Sequence, residues 1–226
     1  AVDSRIPKKK IDYKEIKTLS FLPICHVFER LVYLYYLYSG FSIYFAENID
    51  KIGDNMKEVK PHYMSVVPRL LEKVYDKIYN KGISAGGLKK MIFLWALGVN
   101  KDYELGTPKN LKQRIADRLV FSKWREGLGG NIITLISGSA ALSKNLNKKF
   151  QTAGIPIIEG YGLTETSPVI AVNSFEKMKI GSVGQPLENL NVKIDKDGEI
   201  LVKGPSVMKG YYKNPPRIAL REGGNP

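Results

Sequence analysis

The sequence has little of the chemistry that holds many secreted or metal-dependent proteins together. Its 226 residues include one cysteine, Cys25, and two histidines. One cysteine excludes an internal disulfide, and neither residue type recurs at the spacing of a metal site. The apolar runs are also short: residues 31–38 follow directly after Glu29 and Arg30. A membrane-spanning helix takes about 20 apolar residues, so none is predicted.

Composition and charge are those of a globular protein with an excess of positive charge. Hydrophobic residues make up 43% and charged residues 25% of the chain, which is typical of globular proteins. The formal net charge is +13, and residues 81–130 carry 10 basic and 4 acidic side chains. A basic surface attracts nucleic acid, anionic lipid or polyanionic small molecules, so charge leaves all three open. Residues 1–18 are lysine-rich, unlike a signal peptide, and we expect a cytoplasmic protein.

Strand and helix signals alternate along most of the chain, which predicts an α/β fold with a mostly parallel sheet flanked by helices. Short β-branched or apolar runs predict the strands, and longer periodic stretches predict the helices. The predicted strands cover residues 19–22, 43–46, 62–67, 132–136 and 155–158. The predicted helices cover residues 24–38, 48–59, 69–79, 111–128 and 143–151.

Three regions carry more specific expectations. Residues 31–38 are apolar nearly all round, so their helix is predicted to be buried. Residues 81–110 are predicted to form an irregular insertion around one helical stretch. An Asp-Gly turn at residues 197–198 predicts a β-hairpin. The helix at residues 111–128 is predicted to bury one apolar face, formed by Leu111, Ile115, Leu119 and Trp124.

Residues 155–167 are the stretch with the clearest chemical content. Three isoleucines predict a buried strand, and the glycines on either side of Tyr161 allow close backbone approach. Thr164 and Glu165 follow where the strand would end, the usual ligand position in α/β folds. Their oxygens suit a hard cation beside a phosphate. By residue types and spacing alone, an ordinary strand-to-loop turn fits this stretch as well.

The string Tyr-Gly-Leu-Thr-Glu-Thr at residues 161–166 resembles the signature of the adenylate-forming enzymes, which include acyl-CoA synthetases, luciferases and peptide-synthetase adenylation domains. Other stretches across residues 19–214 are similar, in order and spacing, to those of long-chain fatty acid–CoA ligases. They are residues 21–30, 67–75, 119–123, 137–142, 181–184 and 210–215. The first two resemble the FLPxxHxxER and VPRxxEKxY patterns and indicate the long-chain branch.

The resemblance implies a domain division and a reaction. Residues 1–175 would form part of an acyl- and adenine-binding α/β core, residues 176–214 a small C-terminal β subdomain, and residues 215–226 a tail outside the resemblance. In the family, a carboxylate attacks ATP to give an acyl-adenylate, and CoA then displaces AMP. Fatty acid, ATP, CoA and Mg²⁺ are therefore the expected substrates and cofactors.

Family roles carry over to the matching positions of this sequence. Tyr161 would stack on adenine, Thr164 would contact the α-phosphate, and Glu165 would help to hold Mg²⁺. His26 would lie at the entrance of the acyl pocket, near the carboxylate of the fatty acid, and the alternative is a core histidine with its hydrogen bonds satisfied beside a buried helix. The other expected nucleotide-binding positions are Gly138, Ser139, Ala140, Gly160, Gly162 and Leu163.

The sequence also departs from the family pattern. Ser139 and Ala141 stand where the family usually has a glycine and a proline. The phosphate-binding loop, the ribose-binding Thr-Gly-Asp motif and the C-terminal domain with its catalytic lysine have no counterpart in the sequence. We therefore expect an internal fragment of a longer synthetase, which alone does not turn over because its main charge-stabilising groups are missing.

Two other functions stay open. An enzyme that activates aryl or amino acids would keep the adenylate chemistry, although residues 21–30 favour a fatty acid. A basic module for nucleic acid or membrane would bind with a steep salt dependence. No nucleic-acid fold signature is present, so no nucleic-acid partner is expected. Peripheral contact at the inner face of the membrane fits the leading function, because fatty acids partition into bilayers.

Overall fold

The computed structural model describes residues 15–101 and 107–213, in which strands and helices alternate. The strands are β1 (Lys17–Ser20), β2 (Ser42–Phe45), β3 (Tyr63–Val66), β4 (Thr134–Ser137), β5 (Ile157–Gly162), β6 (Val169–Val172), β7 (Gln185–Pro186), β8 (Asn191–Ile194) and β9 (Ile200–Lys203). The helices are α1 (Val27–Tyr38), α2 (Ile52–Val59), α3 (Pro68–Ser84), α4 (Gly87–Lys101), α5 (Leu111–Ala116), α6 (Ser122–Gly127) and α7 (Lys144–Thr152). A π-helical segment, Asp117–Phe121, joins α5 to α6, and a 3₁₀ turn, Thr164–Thr166, follows β5.

The main sheet has seven strands in the order β2-β1-β3-β4-β5-β6-β7. The pairs from β2 through β5 are parallel, whereas β6 and β7 pair antiparallel. The predicted mostly parallel sheet is therefore confirmed, and β8 and β9 form the predicted hairpin as a separate two-stranded sheet. Because β1, β3, β4 and β5 are parallel, their carboxyl ends lie at one edge, where α/β folds bind ligands.

Alternating side chains of the sheet build an apolar layer on each face. Met64 and Leu135 belong to the larger layer, which packs against helices α2 to α7. Their strand neighbours Tyr63 and Ile136 point to the other face, where α1 packs. Burial of each large apolar side chain stabilises the fold by about 1.5–3 kcal/mol. The sheet is thus covered by helices on both faces.

The sequence predicted that helix α1 is buried on all sides, but the structure buries only one side of it. Its buried residues are Phe28, Glu29, Val32 and Tyr36. Leu34 and Leu37 each keep 52% of their surface exposed. The prediction was wrong because the helix covers the sheet with one face only, and an apolar composition does not say which side is covered.

Two predictions about residues 81–128 were also wrong. Residues 81–101 do not form an irregular insertion, because α3 continues to Ser84 and α4 spans Gly87–Lys101, while residues 102–106 lie outside the described residues. In the following helix, Leu111, Ile115 and Leu119 are exposed. Of the predicted face only Trp124 is buried, and it shares its stripe with Ala116 and Val120, with Phe121 beside it. Both stripes repeat every four residues, so spacing alone could not choose between them.

The division of the chain at residue 175 stays a prediction. Strand β7 pairs with β6, so residues on both sides of that boundary share the main sheet. The hairpin contributes Val192 and Val202 to a small cluster around Ile158. The predicted tail, residues 215–226, lies outside the described residues. Among the described helices, none has both the length and the apolar character needed to cross a membrane.

Candidate functional site

A pocket of about 300 Å³ lies at the carboxyl ends of β4 and β5, between these strands and α1. This volume is at the lower end of the range for small-molecule sites. One part of its lining is apolar and comes from α1 and the sheet: Phe28, Leu31, Val32, Tyr35, Ile136, Ile158, Val169 and Val172. The other part comes from residues 138–139 and 160–165, which are mostly small or polar.

The structure brings almost all of the predicted site residues to this one pocket. Those that line it are His26, Gly138, Ser139, Gly160, Tyr161, Gly162, Leu163, Thr164 and Glu165. Ala140 is exposed and is not among the lining residues. The position of these residues is now known, whereas the role assigned to each one stays a prediction.

The turn after β5 holds the predicted phosphate- and metal-binding residues at the surface. Its anchor is Thr166, which is buried. The Thr166 hydroxyl donates to the carbonyl of Pro168 at 2.5 Å and accepts from the N–H of Leu163 at 3.1 Å. Closing the turn in this way leaves the side chains of Thr164 and Glu165 accessible at the pocket.

Glu165 is tied to a residue far along the chain. Its carboxylate accepts a hydrogen bond from the hydroxyl of Tyr211, and its carbonyl accepts from the N–H of Met208 at 2.8 Å. This hydrogen bond holds the pKa of the Glu165 carboxyl below its usual range, and it raises the pKa of the Tyr211 hydroxyl. Sequence reasoning missed Tyr211, because nothing in residues 210–215 indicates its partner.

The donors at this turn fit a Mg²⁺ ion that is shared with phosphate. Among the described residues, no group of three or more acidic, histidine or cysteine side chains could hold a metal. Mg²⁺ in nucleotide sites is commonly bound by one or two carboxylates together with substrate phosphates. Glu165 with the adjacent Thr164 hydroxyl supplies such a partial set, which becomes complete only with a phosphate.

Ser139 has a backbone conformation that favours glycine. Its φ angle is 69°, in the left-handed region that costs most other residues energy. The neighbouring position 138 requires glycine for a steric reason, because a Cβ there would lie 2.9 Å from the Phe28 ring. The glycines that the adenylate-forming family has at these two positions therefore suit the backbone geometry. Ser139 departs from the family pattern while keeping the backbone conformation that favours glycine.

His26 is exposed at the start of α1 and lines the pocket. It is the N-cap residue of α1, and its Nδ1 accepts the N–H of Phe28 at 3.4 Å. The alternative of a buried core histidine is wrong, although the contact with Phe28 does serve the helix. His62 is different: its Nδ1 accepts the N–H of Lys17 at 3.0 Å and joins β1 to the start of β3.

A buried carboxyl anchors α1 to the sheet directly below the pocket. Glu29 is fully buried, and it accepts hydrogen bonds from Ser20 at 2.5 Å and from Ser65. Burial raises the pKa of the Glu29 carboxyl, while the two hydroxyls act in the opposite direction. Because β1 and β3 carry these serines, Glu29 fixes the height and rotation of the helix that forms the apolar lining. Sequence reasoning missed this role as well.

Several known proteins with similar sequences are named as long-chain fatty acid ligases or acyl-CoA synthetases. The long-chain-fatty-acid–CoA ligase FadD15 of Mycobacterium bovis is 37% identical over 205 residues, covering 88% of this chain and 34% of its own length. The long-chain-fatty-acid–CoA ligase 5 of Rattus norvegicus is 35% identical, covering 88% and 30%. The long chain acyl-CoA synthetase 3 of Arabidopsis thaliana is 32% identical, covering 86% and 32%. The chain thus spans about a third of the length of these relatives.

Solved structures show the same fold at lower identity. The O-succinylbenzoate CoA synthetase of Bacillus subtilis, in complex with its acyl-adenylate intermediate, is 19% identical with a TM-score of 0.58. The match covers 89% of this chain and 35% of that one. The anthranilate CoA ligase AuaEII, in complex with anthranoyl-AMP, is 16% identical with a TM-score of 0.56, covering 86% and 32%.

The family assignment rests on a match along nearly the whole sequence. Residues 5–212 fit the family described as AMP-binding enzyme. This range includes every residue of the pocket and both residues that tie Glu165 to the later part of the chain. The resemblance inferred from the motifs is confirmed, and the chain belongs to the family of AMP-binding enzymes.

Proposed function

We propose that the protein is a fatty acid–CoA ligase, in which the fatty acid carboxylate attacks the α-phosphate of ATP to form an acyl-adenylate and release pyrophosphate, and the CoA thiol then takes the acyl group and releases AMP. One observation carries the proposal: an apolar lining and a lining of glycines, hydroxyls and one carboxylate meet in a single pocket. The first suits an alkyl chain and the second a nucleotide phosphate, which are the two parts of an acyl-adenylate. The names of the three relatives described above, two long-chain ligases and one long-chain synthetase, support the same substrate.

On the nucleotide side, the adenine ring would stack on Tyr161. The Tyr161 side chain is half-buried in the pocket lining, and the glycines on both sides of it leave space for a flat base. The exposed hydroxyl of Thr164 would contact the α-phosphate. Glu165, held by Tyr211, would bind Mg²⁺, and the ion when bound would neutralise charge on the phosphates.

On the acyl side, the proposal gives α1 two tasks. Its apolar residues, among them Phe28 and Val32, would contact the alkyl chain. His26 would hold the acid's carboxylate, since its Nδ1 is engaged by Phe28 and the second ring nitrogen can donate. The attacking oxygen would then face the α-phosphate near Thr164, which is the alignment that adenylate formation needs.

The proposal also includes CoA as the acyl acceptor and the cytoplasm as the location. Peripheral contact with the inner face of the membrane would bring the enzyme to fatty acids that have partitioned into the bilayer. These points follow from the chemistry of the substrates.

Substrate-dependent release of AMP tests the proposed function. The purified protein, with whatever flanking sequence its gene encodes, would be incubated with ATP, Mg²⁺, CoA and one acid at a time. Long-chain fatty acids are expected to give acyl-CoA and AMP. Benzoate and amino acids are expected to give neither. Turnover of an aryl or amino acid in preference to a fatty acid would overturn the proposed substrate.

A further inference from the structure

Helices α4 and α5 contact each other in the layer of helices that lies opposite α1. None of their residues lines the pocket. Together with the π-helical segment, they expose seven large apolar side chains, which we call the α4–α5 surface. These residues are Leu88, Met91, Leu94, Trp95, Leu111, Ile115 and Leu119.

The exposed residues follow helical spacing and therefore form stripes. Leu88, Met91 and Trp95 lie three and four residues apart, on one side of α4. Leu111, Ile115 and Leu119 continue at intervals of four along the next helix, and they form the stripe that sequence analysis expected to be buried. Leu88 and Leu111 keep 70% and 72% of their surface in solvent. Clustered exposure of this kind marks an interaction surface.

The charges on the same helices have one sign. Helices α4 and α5 contain no acidic residue. Their basic residues are Lys89, Lys90, Lys101, Lys112 and Arg114. In the part of the chain that the structure describes, none of these five side chains forms an ion pair. Among the described residues, the surface thus combines exposed apolar side chains with five cations that form no ion pair, and the one carboxylate on the π-helical segment, Asp117, is paired with Lys109 and Arg125.

We propose that the α4–α5 surface docks on a bilayer that contains anionic lipid. Helices that lie in the membrane interface bury an apolar face among the acyl chains while lysine and arginine contact the headgroups. Anionic headgroups supply the negative charge that these two helices lack, and each basic residue near such a surface adds to the attraction. The assignment rests on this surface alone and does not depend on the reaction proposed for the pocket.

A nucleic acid fits the surface less well than a bilayer does. Phosphates would satisfy the cations, but Leu88, Met91 and Leu111 would remain in water. A lipid interface accepts both kinds of side chain at once. Lipid and nucleic acid are therefore separated by whether the apolar side chains contribute to binding.

Vesicle binding by the purified complete protein is the test, with Trp95 as an internal probe. Vesicles of phosphatidylcholine alone would be compared with vesicles in which about a third of the lipid is phosphatidylglycerol. Co-sedimentation is expected only with the anionic vesicles, and it should weaken as salt rises. Brominated acyl chains are expected to quench Trp95, which is 39% exposed, and not Trp124, which is 5% exposed. Trp95→Phe should keep the binding and lose the quenching.

Paired variants identify the surface. Leu88→Ser with Met91→Ser, and separately Lys89→Gln with Lys90→Gln, are each expected to weaken vesicle binding by about tenfold or more. The matched controls lie elsewhere and should leave binding unchanged: Leu37→Ser on α1 for the apolar pair, and Lys193→Gln with Lys196→Gln on the hairpin for the charged pair. Loss of binding in the lysine variant alone would indicate general polyanion binding and overturn the proposal. Absence of vesicle binding, or equal loss in the controls, would overturn it too.

Discussion

At the scale of single residues, the pair Glu165 and Tyr211 is the least expected feature of the site. The two residues are 46 positions apart, and their side chains are hydrogen-bonded at the mouth of the pocket. A carboxylate on an exposed turn has many rotamers, and one donor that holds it reduces the entropy lost when it binds a cation. Tyr211 is thus a positioning residue for the proposed Mg²⁺ ligand.

Replacing Tyr211 by phenylalanine tests this positioning. Tyr211→Phe removes only the hydroxyl, and we expect the affinity for Mg²⁺–ATP to fall by about tenfold, because outer partners of metal ligands typically contribute that much. Titration calorimetry of the purified protein measures this without turnover. Tyr212→Phe is the control, since Tyr212 is 89% exposed next to it and no hydrogen bond joins it to Glu165. Equal affinity in both variants would remove Tyr211 from the site.

The two glycines beside Tyr161 are predicted to differ in their tolerance of a side chain. A Cβ at Gly162 would lie 1.8 Å from the carbonyl oxygen of Pro168, whereas at Gly160 the nearest atom would be 3.6 Å away. The contact at Gly162 is with the backbone of Pro168, which cannot shift because β5 and β6 are paired there. Gly162→Ala should therefore lower the free energy of unfolding by about 3 kcal/mol or more, and Gly160→Ala by less than about 1 kcal/mol. Denaturant unfolding measures both, and similar losses would contradict the geometry.

How much of the site could be predicted depends on how local each contact is. Residues 160–165 and 138–139 form short motifs, so their resemblance to the adenylate-forming enzymes predicted that they belong to one nucleotide site. Tyr211 and Glu29 act through partners distant in sequence. Only the folded sheet shows that Ser20, Ser65 and Glu29 meet, since hydroxyls and a carboxyl at those spacings have no local signature.

At the scale of elements, the position of α1 depends on the buried carboxyl of Glu29. Burial raises its pKa in the folded state, so the proton is held more tightly there than in the unfolded chain. The stabilisation that comes from protonated Glu29 is complete below the unfolded-state pKa of about 4.5, and it is lost as the pH rises through the folded-state pKa. The helix should therefore be held less firmly at neutral pH than in mild acid.

Glu29→Gln tests this sign, because an amide hydrogen-bonds with both serines and does not ionise. We expect the melting temperature of Glu29→Gln minus that of the wild type to increase by about 2–4 °C from mild acid to neutral pH. Thermal unfolding followed by circular dichroism gives the difference at each pH. Glu58→Gln, at an exposed position on α2, controls for changing a carboxylate to an amide. A difference that does not change with pH would show that Glu29 carries no such linkage.

Element types were predictable, but the faces of the helices were not. Alternation of β-branched runs with periodic stretches identified the parallel strands and the hairpin. In residues 111–128 two apolar stripes compete, and only the folded chain shows that Ala116 and Val120 are buried with Trp124, which packs on Phe121, Phe150 and Tyr75. The π-helical segment between α5 and α6 also changes the rotation of the later residues, and π segments have no sequence signature.

At the scale of the whole molecule, the two faces of the sheet carry different features. On one face α1 forms the apolar part of the pocket, and on the other a layer of helices ends in the basic α4–α5 surface. At the carboxyl ends of β4 and β5, an apolar lining and a lining of small and polar residues meet in one cavity. The central claim is that this cavity accommodates both parts of an acyl-adenylate at once.

Binding of a stable acyl-adenylate analogue tests that claim most directly. The purified protein would be titrated calorimetrically, with Mg²⁺ present, with a non-hydrolysable analogue that carries a long acyl chain, and with the same nucleotide without the chain. We expect binding in the micromolar range or tighter for the first. Binding should be at least about tenfold weaker without the chain, and similarly weakened by Tyr161→Ala but not by Tyr38→Ala, which lies outside the pocket. Equal affinity with and without the chain, or binding that Tyr161→Ala leaves unchanged, would contradict the account.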